Sequence, residues 1–287
     1  MLPARGRGRP GGVRTLTTLA TIALAALAVG ALAAAVWLAA ERRRLRGRVD
    51  AASNELQRMQ AAFGRFAPGA VVDRIVARGR PSDAERRDVT VLFADLFGFT
   101  ALGETMTPEA LVALLNDYFS RMSRVVEQHR GQVSKFIGDG LMAVFGAHAP
   151  NPWQVNDAVH AALGMQDALA EHNRARAARG GPPLRVGIGI HTGPAVAGVL
   201  GSQELMEFTV IGGTVNLASR VESLTRTHDA AILVTDAVRT RLDPRFRLRP
   251  MPPTPVRGVA EPVATWEVVG WEEDVRSATE KGVTSDQ

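Results

Sequence analysis

The chain has 287 residues, 46% hydrophobic and 22% charged with 28 Gly and 16 Pro, a globular composition that excludes intrinsic disorder and a collagen-like repeat. It has no Cys, which excludes a disulfide framework, a zinc finger and a thiol nucleophile and leaves chemistry to carboxylates, Lys, Arg, His, hydroxyls or bound metal. Of the net charge of +5, nine arginines against Glu41 alone place +8 within residues 1–48, so the rest carries −3 and no nucleic-acid partner is expected.

After a basic tail, residues 1–15, positions 16–40 hold no charge. Roughly 25 residues at about 1.5 Å each cross a hydrocarbon core of about 30 Å, which predicts one transmembrane helix. The alternative is a cleaved signal peptide, whose apolar core is shorter, about 7–15 residues. Arginines flank both ends, so charge bias does not fix the orientation. The cluster after Ala40 reads as a stop-transfer and headgroup anchor.

Residues 41–80 form a connector. Leu45, Val49, Ala52, Leu56, Met59, Phe63 and Phe66 recur at alternating spacings of four and three, the seam of a parallel two-stranded coiled coil that would pair two chains. An amphipathic helix packing on its own domain is the other reading. Pro68-Gly69 interrupts the pattern, positions 70–77 read as a short helix, and Gly79-Arg80-Pro81 marks a boundary.

The domain over 81–271 reads in order as a buried strand (87–96), a helix (108–128), two short strands (132–137 and 141–145) joined at Gly138-Asp139-Gly140, a second helix (155–178) and a strand (184–191). This β-α-β-β-α-β order predicts an α+β, ferredoxin-like antiparallel sheet with helices on one face. Strands at 195–200 and 206–210, a helix at 214–224, and strands near 232 and 265–269 follow, then a polar tail, 272–287, expected to be mobile.

Asp95 ends an otherwise apolar strand, VLFADLFGFT, where a carboxylate is costly unless paired or metal-bound. Asp139 sits at the hairpin tip of KFIGDGLMAVF, which the predicted topology lays beside that strand. Two converging carboxylates suit Mg²⁺ or Mn²⁺, although Gly-Asp-Gly is also ordinary turn chemistry. Amides around Phe97-Gly98-Phe99-Thr100, ahead of a helix, can cradle phosphate. There is no Walker motif, dinucleotide fingerprint, H-E-x-x-H or G-x-S-x-G. His191, inside a strand, reads as a structural histidine.

Five segments, VTVLFADLFGFT, KFIGDGLMAVFG, VGIGIHTGPAVAGVLG, FTVIGGTVNLASRVE and PVRGVAEPV, together resemble the class III nucleotidyl cyclase catalytic domain over about 190 residues, in family order. The resemblance implies a homodimer with active sites between the two catalytic domains, in agreement with the heptad seam. It implies two Mg²⁺ or Mn²⁺ ions per site on Asp95 and Asp139, with the Leu96 carbonyl as a further ligand and the amides of Phe97, Gly98, Phe99 and Thr100 near the terminal phosphates. Lys135 and Thr209 match the base-reading positions, contributed by the other chain. This pair is similar to bacterial adenylate cyclases, where guanylate cyclases present Glu and Cys. A Lys donates to an adenine ring nitrogen and a Thr hydroxyl accepts from the exocyclic amine. Asn216 would orient the ribose and Arg220, four residues on, would stabilise charge at the α-phosphate.

Two positions depart from the family pattern. Gly213 replaces a polar residue, and Arg257-Gly258-Val259 replaces K-G-K, leaving Arg257 alone for the terminal phosphate. The expected protein is a membrane-anchored homodimeric adenylate cyclase of the plasma (inner) membrane, single-pass, with its catalytic domain cytoplasmic, converting ATP to cyclic AMP and pyrophosphate. A guanylate cyclase, or a catalytically silent cyclase-like module for nucleotide sensing or dimerisation, are the alternatives.

Overall fold

The computed structural model describes residues 84–201 and 206–272, with 41–51, 53–55 and positions 27, 30, 37 and 38 nearer the N-terminus. Residues up to Phe66 and residues from Ala67 form two units. In the first, 41–51 are helical, and Leu45 and Val49 are 52% and 63% exposed, as are the other positions of 42–51. Among the described residues no helix is long and apolar enough to cross a membrane. The span expected over 16–40 lies outside them except at four positions, as do the helix at 70–77, the boundary at 79–81 and the tail beyond Glu272.

The second unit runs β1 (Glu85–Leu96), α1 (Phe99–Gly103), α2 (Pro108–Gln128), β2 (Gln132–Ile137), β3 (Gly140–Phe145), α3 (Gln154–Ala177), β4 (Val186–Gly201), β5 (Met206–Ile211), α4 (Gly213–His228), β6 (Ile232–Thr235), α5 (Asp236–Arg239), β7 (Phe246–Pro250) and β8 (Thr265–Trp271). The sheet order is β2-β3-β1-β4-β6-β8-β7, with β5 paired to β4. β1 is central and antiparallel to both β3 and β4, with Ala94 opposite Leu141 and Asp95 opposite Gly187.

The period of two along β1 sends its apolar residues to both faces. Leu92, Ala94 and Leu96 join the core beneath α2 and α3, whereas Val89 and Val91 pack with Val210 of β5 and Ala218 of α4. α2 starts at Thr107, whose side chain accepts from the Ala110 amide, with Pro108 at its first position. It buries Leu114, Tyr118, Met122 and Val126, spaced by four along one stripe.

Three expectations need correction. The sheet is mixed, because β6 runs parallel to β4. Helices cover both faces, because the second apolar face of β1 needs α4. The strands expected at 184–191 and 195–200 are one strand, β4, running through Gly193 and Pro194. Pro194 is tolerated because it falls between the stretch paired to β6, which ends at Ile190, and the stretch paired to β5, which starts at Val196. There the missing N–H removes no ladder bond on that side. Thr192 adds a buried tie, its hydroxyl donating to the Val89 carbonyl at 3.1 Å while Thr90 donates to it at 3.0 Å.

Alternate glycines on β4 set the seat of α4. A Cβ at Gly189 would lie 2.0 Å from the backbone nitrogen of Glu222, and one at Gly187 would lie 2.2 Å from the Thr225 hydroxyl. Only bare backbone lets helix and strand approach so closely. β7, α1 and α5 carry too short a pattern to be read beforehand.

His191 is structural, as expected. Its Nδ1 lies 2.8 Å from the Thr235 hydroxyl, and burial, reinforced by Arg241, pushes its pKa down to about 4. A group that binds its proton less readily folded than unfolded stabilises the fold above its unfolded pKa of about 6.5 and loses that contribution as pH falls towards 4. The expected loss is about 3 kcal/mol, seen in urea melts at pH 7 and pH 4. The His191 ring resonance should titrate near pH 4; a midpoint near 6.5 would contradict the burial argument.

Candidate active site

Asp95 is the penultimate residue of β1 and Asp139 lies in the turn between β2 and β3. Pairing of β1 with β3 brings the two together at one end of the sheet. A Cβ on Gly140 would stand 2.8 Å from Asp95 Oδ1, so glycine keeps open the space between the carboxylates. The pKa of Asp139 is raised, first by burial and then by the charge of Asp95, as expected of two acids sharing one site.

Three residues not singled out from the sequence complete this end of the fold. Arg226, on α4, donates through Nη2 to Asp95 Oδ2 and, at 3.4 Å, to the Leu96 carbonyl. Its Nη1 donates to Glu222 Oε1 at 2.8 Å, and its guanidinium lies 5.2 Å from the centre of the Phe97 ring. Burial pushes the Glu222 carboxyl up to about 7, with Arg226 pulling the other way and Asp95 adding to the rise. The Tyr118 hydroxyl is buried, with no hydrogen-bond partner among the described residues. Its pKa is raised by burial and by the charges of Asp95, Asp139 and Glu222. One signal was present: Glu222 interrupts the apolar stripe Ala218, Val221 and Leu224 of α4, with Arg226 one turn further on.

The turn after Asp95 is built as its sequence requires. Gly98 has φ +67, the left-handed region that glycine occupies without strain, and it caps α1. The Phe97 amide donates to the Arg185 carbonyl at 2.9 Å, which removes it from the phosphate cradle expected over Phe97, Gly98, Phe99 and Thr100. The amides of Phe99 and Thr100 open α1, where first-turn N–H groups have no intrahelical acceptor.

Lys135 and Thr209 come together where β2 meets β5. Lys135 Nζ donates to Glu207 Oε1 at 2.6 Å, and the hydroxyl of the buried Thr209 lies 3.4 Å from that of Ser134. Asn216 and Arg220 lie on α4, ten and six residues before Arg226, about 15 and 9 Å along its axis and roughly a quarter and a third of a turn away around it. They are therefore displaced from the position that grips Asp95 chiefly along the helix. Arg257 is exposed at the turn that carries Gly258, and a Cβ on Gly258 would stand 3.2 Å from Arg220 Nη2, which sets that turn beside Arg220. Gly213, the departure noted from the sequence, is the first residue of α4 and has nothing within 4 Å of its absent Cβ. The constrained position is Gly212, with φ +146.

Among the described residues no cluster of three or more His, Cys, Asp or Glu forms a metal cage. Two carboxylates and a carbonyl, all oxygen donors, nevertheless fit a Mg²⁺-type ion, which uses one or two carboxylates and completes its shell with substrate phosphates and water. The Gly140 cradle provides the room.

Fold and site thus define an α+β domain in which a mixed sheet brings a pair of carboxylates together at one end. Residues 82–270 match the family described as adenylate and guanylate cyclase catalytic domain. The chain belongs to this family, the class III cyclases. It is 32% identical over 224 residues to adenylate cyclase 1 of Rhizobium meliloti, covering 77% of this chain and 34% of that one. It is 35% identical over 226 residues to an adenylate cyclase of Anabaena cylindrica, covering 75% and 44%. The chain thus spans less than half the length of these relatives. Among solved structures, the adenylyl cyclase CyaB from P. aeruginosa superposes with a TM-score of 0.64 at 32% identity, covering 67% of this chain and 99% of that one. The guanylyl cyclase Cya2 does so with 0.61 at 36%, covering 67% and 96%.

Proposed function

We propose that this chain is a membrane-anchored, homodimeric adenylate cyclase that converts ATP to 3′,5′-cyclic AMP and pyrophosphate. The observation that carries the reading is the convergence of Asp95 and Asp139, with the Leu96 carbonyl, at one end of the sheet. Divalent ions held there, two per site, would supply Lewis acidity for the ribose hydroxyl and neutralise the triphosphate. Arg220 places fixed positive charge at the α-phosphate, where negative charge develops during displacement. Asn216 orients the ribose so that its 3′-oxygen lies in line. Arg257, next to Gly258 in the turn that lies beside Arg220, meets the terminal phosphates, as do the amides of Phe99 and Thr100.

The separation of Asn216 and Arg220 from the acids along α4 supports a site shared between two chains, each giving its acids to one site and its α4 residues to the other. The heptad seam that includes Leu45 and Val49 supports the same pairing. Lys135 and Thr209 favour adenine, Lys135 exchanging its Glu207 contact for the base. The N-terminal segment serves as the anchor in the plasma (inner) membrane, and the need for ATP places the domain on the cytoplasmic side.

A guanylate cyclase is the second reading, favoured by the likeness to a solved guanylyl cyclase and opposed by Lys135 and Thr209. The test is to incubate the purified 287-residue chain with Mn²⁺ and either ATP or GTP and resolve the products by mass. Cyclic AMP from ATP, lost in Asp139→Ala, is expected. Cyclic GMP as the main product would replace the assignment, and no cyclic product from a folded dimer that binds ATP would reduce the chain to a silent module.

A further inference from the structure

Arg226 has no part in the roles described so far, yet it makes the most contacts at the site. One of its nitrogens, Nη2, is bonded both to Asp95 Oδ2 and to the Leu96 carbonyl, the two β1 oxygens read above as ligands of the divalent ion. We propose that Arg226 is a placeholder for that ion: its guanidinium holds the two ligand oxygens in place before a cation arrives, and the cation enters by displacing it. The proposal rests on the reading of Asp95 and Asp139 as the cation site.

An arginine cannot relieve this contact by losing its proton, so Asp95 Oδ2 becomes available only if the side chain moves. The structure provides for such a movement. Nη1 is held separately by Glu222 at 2.8 Å, one helical turn back on α4, so the guanidinium can turn about that anchor without leaving the site. Its face rests on the Phe97 ring, a surface over which a planar cation slides at little cost. The side chain is 41% exposed, so its path outward is open. Among the described residues Arg226 grips Asp95 on Oδ2, while Oδ1 faces Gly140 and the hairpin of Asp139. A cation bridging Oδ1 and Asp139 can therefore enter with Arg226 in place, whereas one that needs Oδ2 and the Leu96 carbonyl cannot.

The charges agree. Asp95, Asp139 and Glu222 bring three negative charges when ionised and Arg226 one positive charge, so without Arg226 the acids would repel one another across the Gly140 gap. The guanidinium thus preorganises the site while lowering its affinity for the ion that follows.

The test is Mn²⁺ binding to the full 287-residue chain without nucleotide, followed by loss of the free-ion signal in electron paramagnetic resonance. Arg226→Gln, which removes both the charge and the fork, should tighten binding roughly tenfold or more. Arg226→Lys keeps the charge but not the two-sided grip and should fall between Gln and the unchanged protein. If Lys binds as the unchanged protein does, the effect is bulk charge and the placeholder is refuted; unchanged or weaker binding in Gln refutes it directly. Asp139→Asn serves as the control. If binding depends on Asp139 but not on Arg226, only the placeholder fails; if it does not depend on Asp139, the cation-site reading fails with it. Should Arg226→Gln not fold, the Lys variant still decides, with the rise in melting temperature on adding Mn²⁺ as a second readout: it should be larger in Lys than in the unchanged protein.

Discussion

On the proposed function, Asp95→Ala should lower cyclic AMP formation by about a thousandfold or more, because the substitution removes a carboxylate from the pair proposed to hold the divalent ions. Charge stabilisation by such ions is worth several kcal/mol, and each 1.4 kcal/mol is about tenfold in rate. Burying Ala at this position costs the fold little. Asp95 lies at the sheet end, its side chain 31% exposed, and its interior neighbours Ala94 and Leu96 keep their packing. The variant should therefore melt as one cooperative unit and remain dimeric, with the loss confined to turnover. Initial rates at saturating ATP and Mn²⁺, with a sedimentation profile to verify the dimer, check it. A rate within tenfold of the unchanged protein would remove Asp95 from the site.

The second large effect is a recovery of activity. Asp95→Ala and Asn216→Ala should each be nearly inactive alone, yet a mixture allowed to exchange chains should regain about one quarter of the unchanged rate. The figure follows from two-fold symmetry. With random pairing, about half of the dimers are mixed, and in each mixed dimer one site collects both substitutions while the other collects neither. The structural basis is the position of Asn216 about 15 Å along α4 from Arg226, the residue that grips Asp95. If the mixture stays silent while tagged chains prove that mixed dimers form, the acids and the α4 residues belong to the same chain's site.

Much of this domain was legible because its elements carry strong local patterns. The helix 108–128 announces itself by a Thr-Pro start and a stripe spaced by four, and the hairpin by Gly-Asp-Gly. The two acids were visible because a carboxylate behind an apolar strand has to be explained by something other than packing. What was not legible depends on partners distant in sequence. The continuity of β4 through Gly193 and Pro194 is decided by which stretches β5 and β6 occupy, and a single-chain pattern does not contain that. The grip of Arg226 on Asp95 joins positions 131 residues apart, so no spacing rule could show it. The Phe97 amide, expected to face phosphate, is taken by a carbonyl of the loop before β4 for the same reason.

The bare backbone of β4 under α4 has an evolutionary consequence. Gly187 and Gly189 hold a helix whose later part grips its own chain's acids and whose earlier part, on the reading above, serves the partner's site. A single added methyl at residue 189 would collide with the helix backbone at Glu222 and lift both parts at once. In a symmetric dimer, one genetic change there would disturb two sites through each of two chains. Those two positions are therefore expected to tolerate fewer substitutions than Lys135, Arg220 and Arg257, the side chains proposed to meet the nucleotide, whose replacement alters one contact and leaves the scaffold intact.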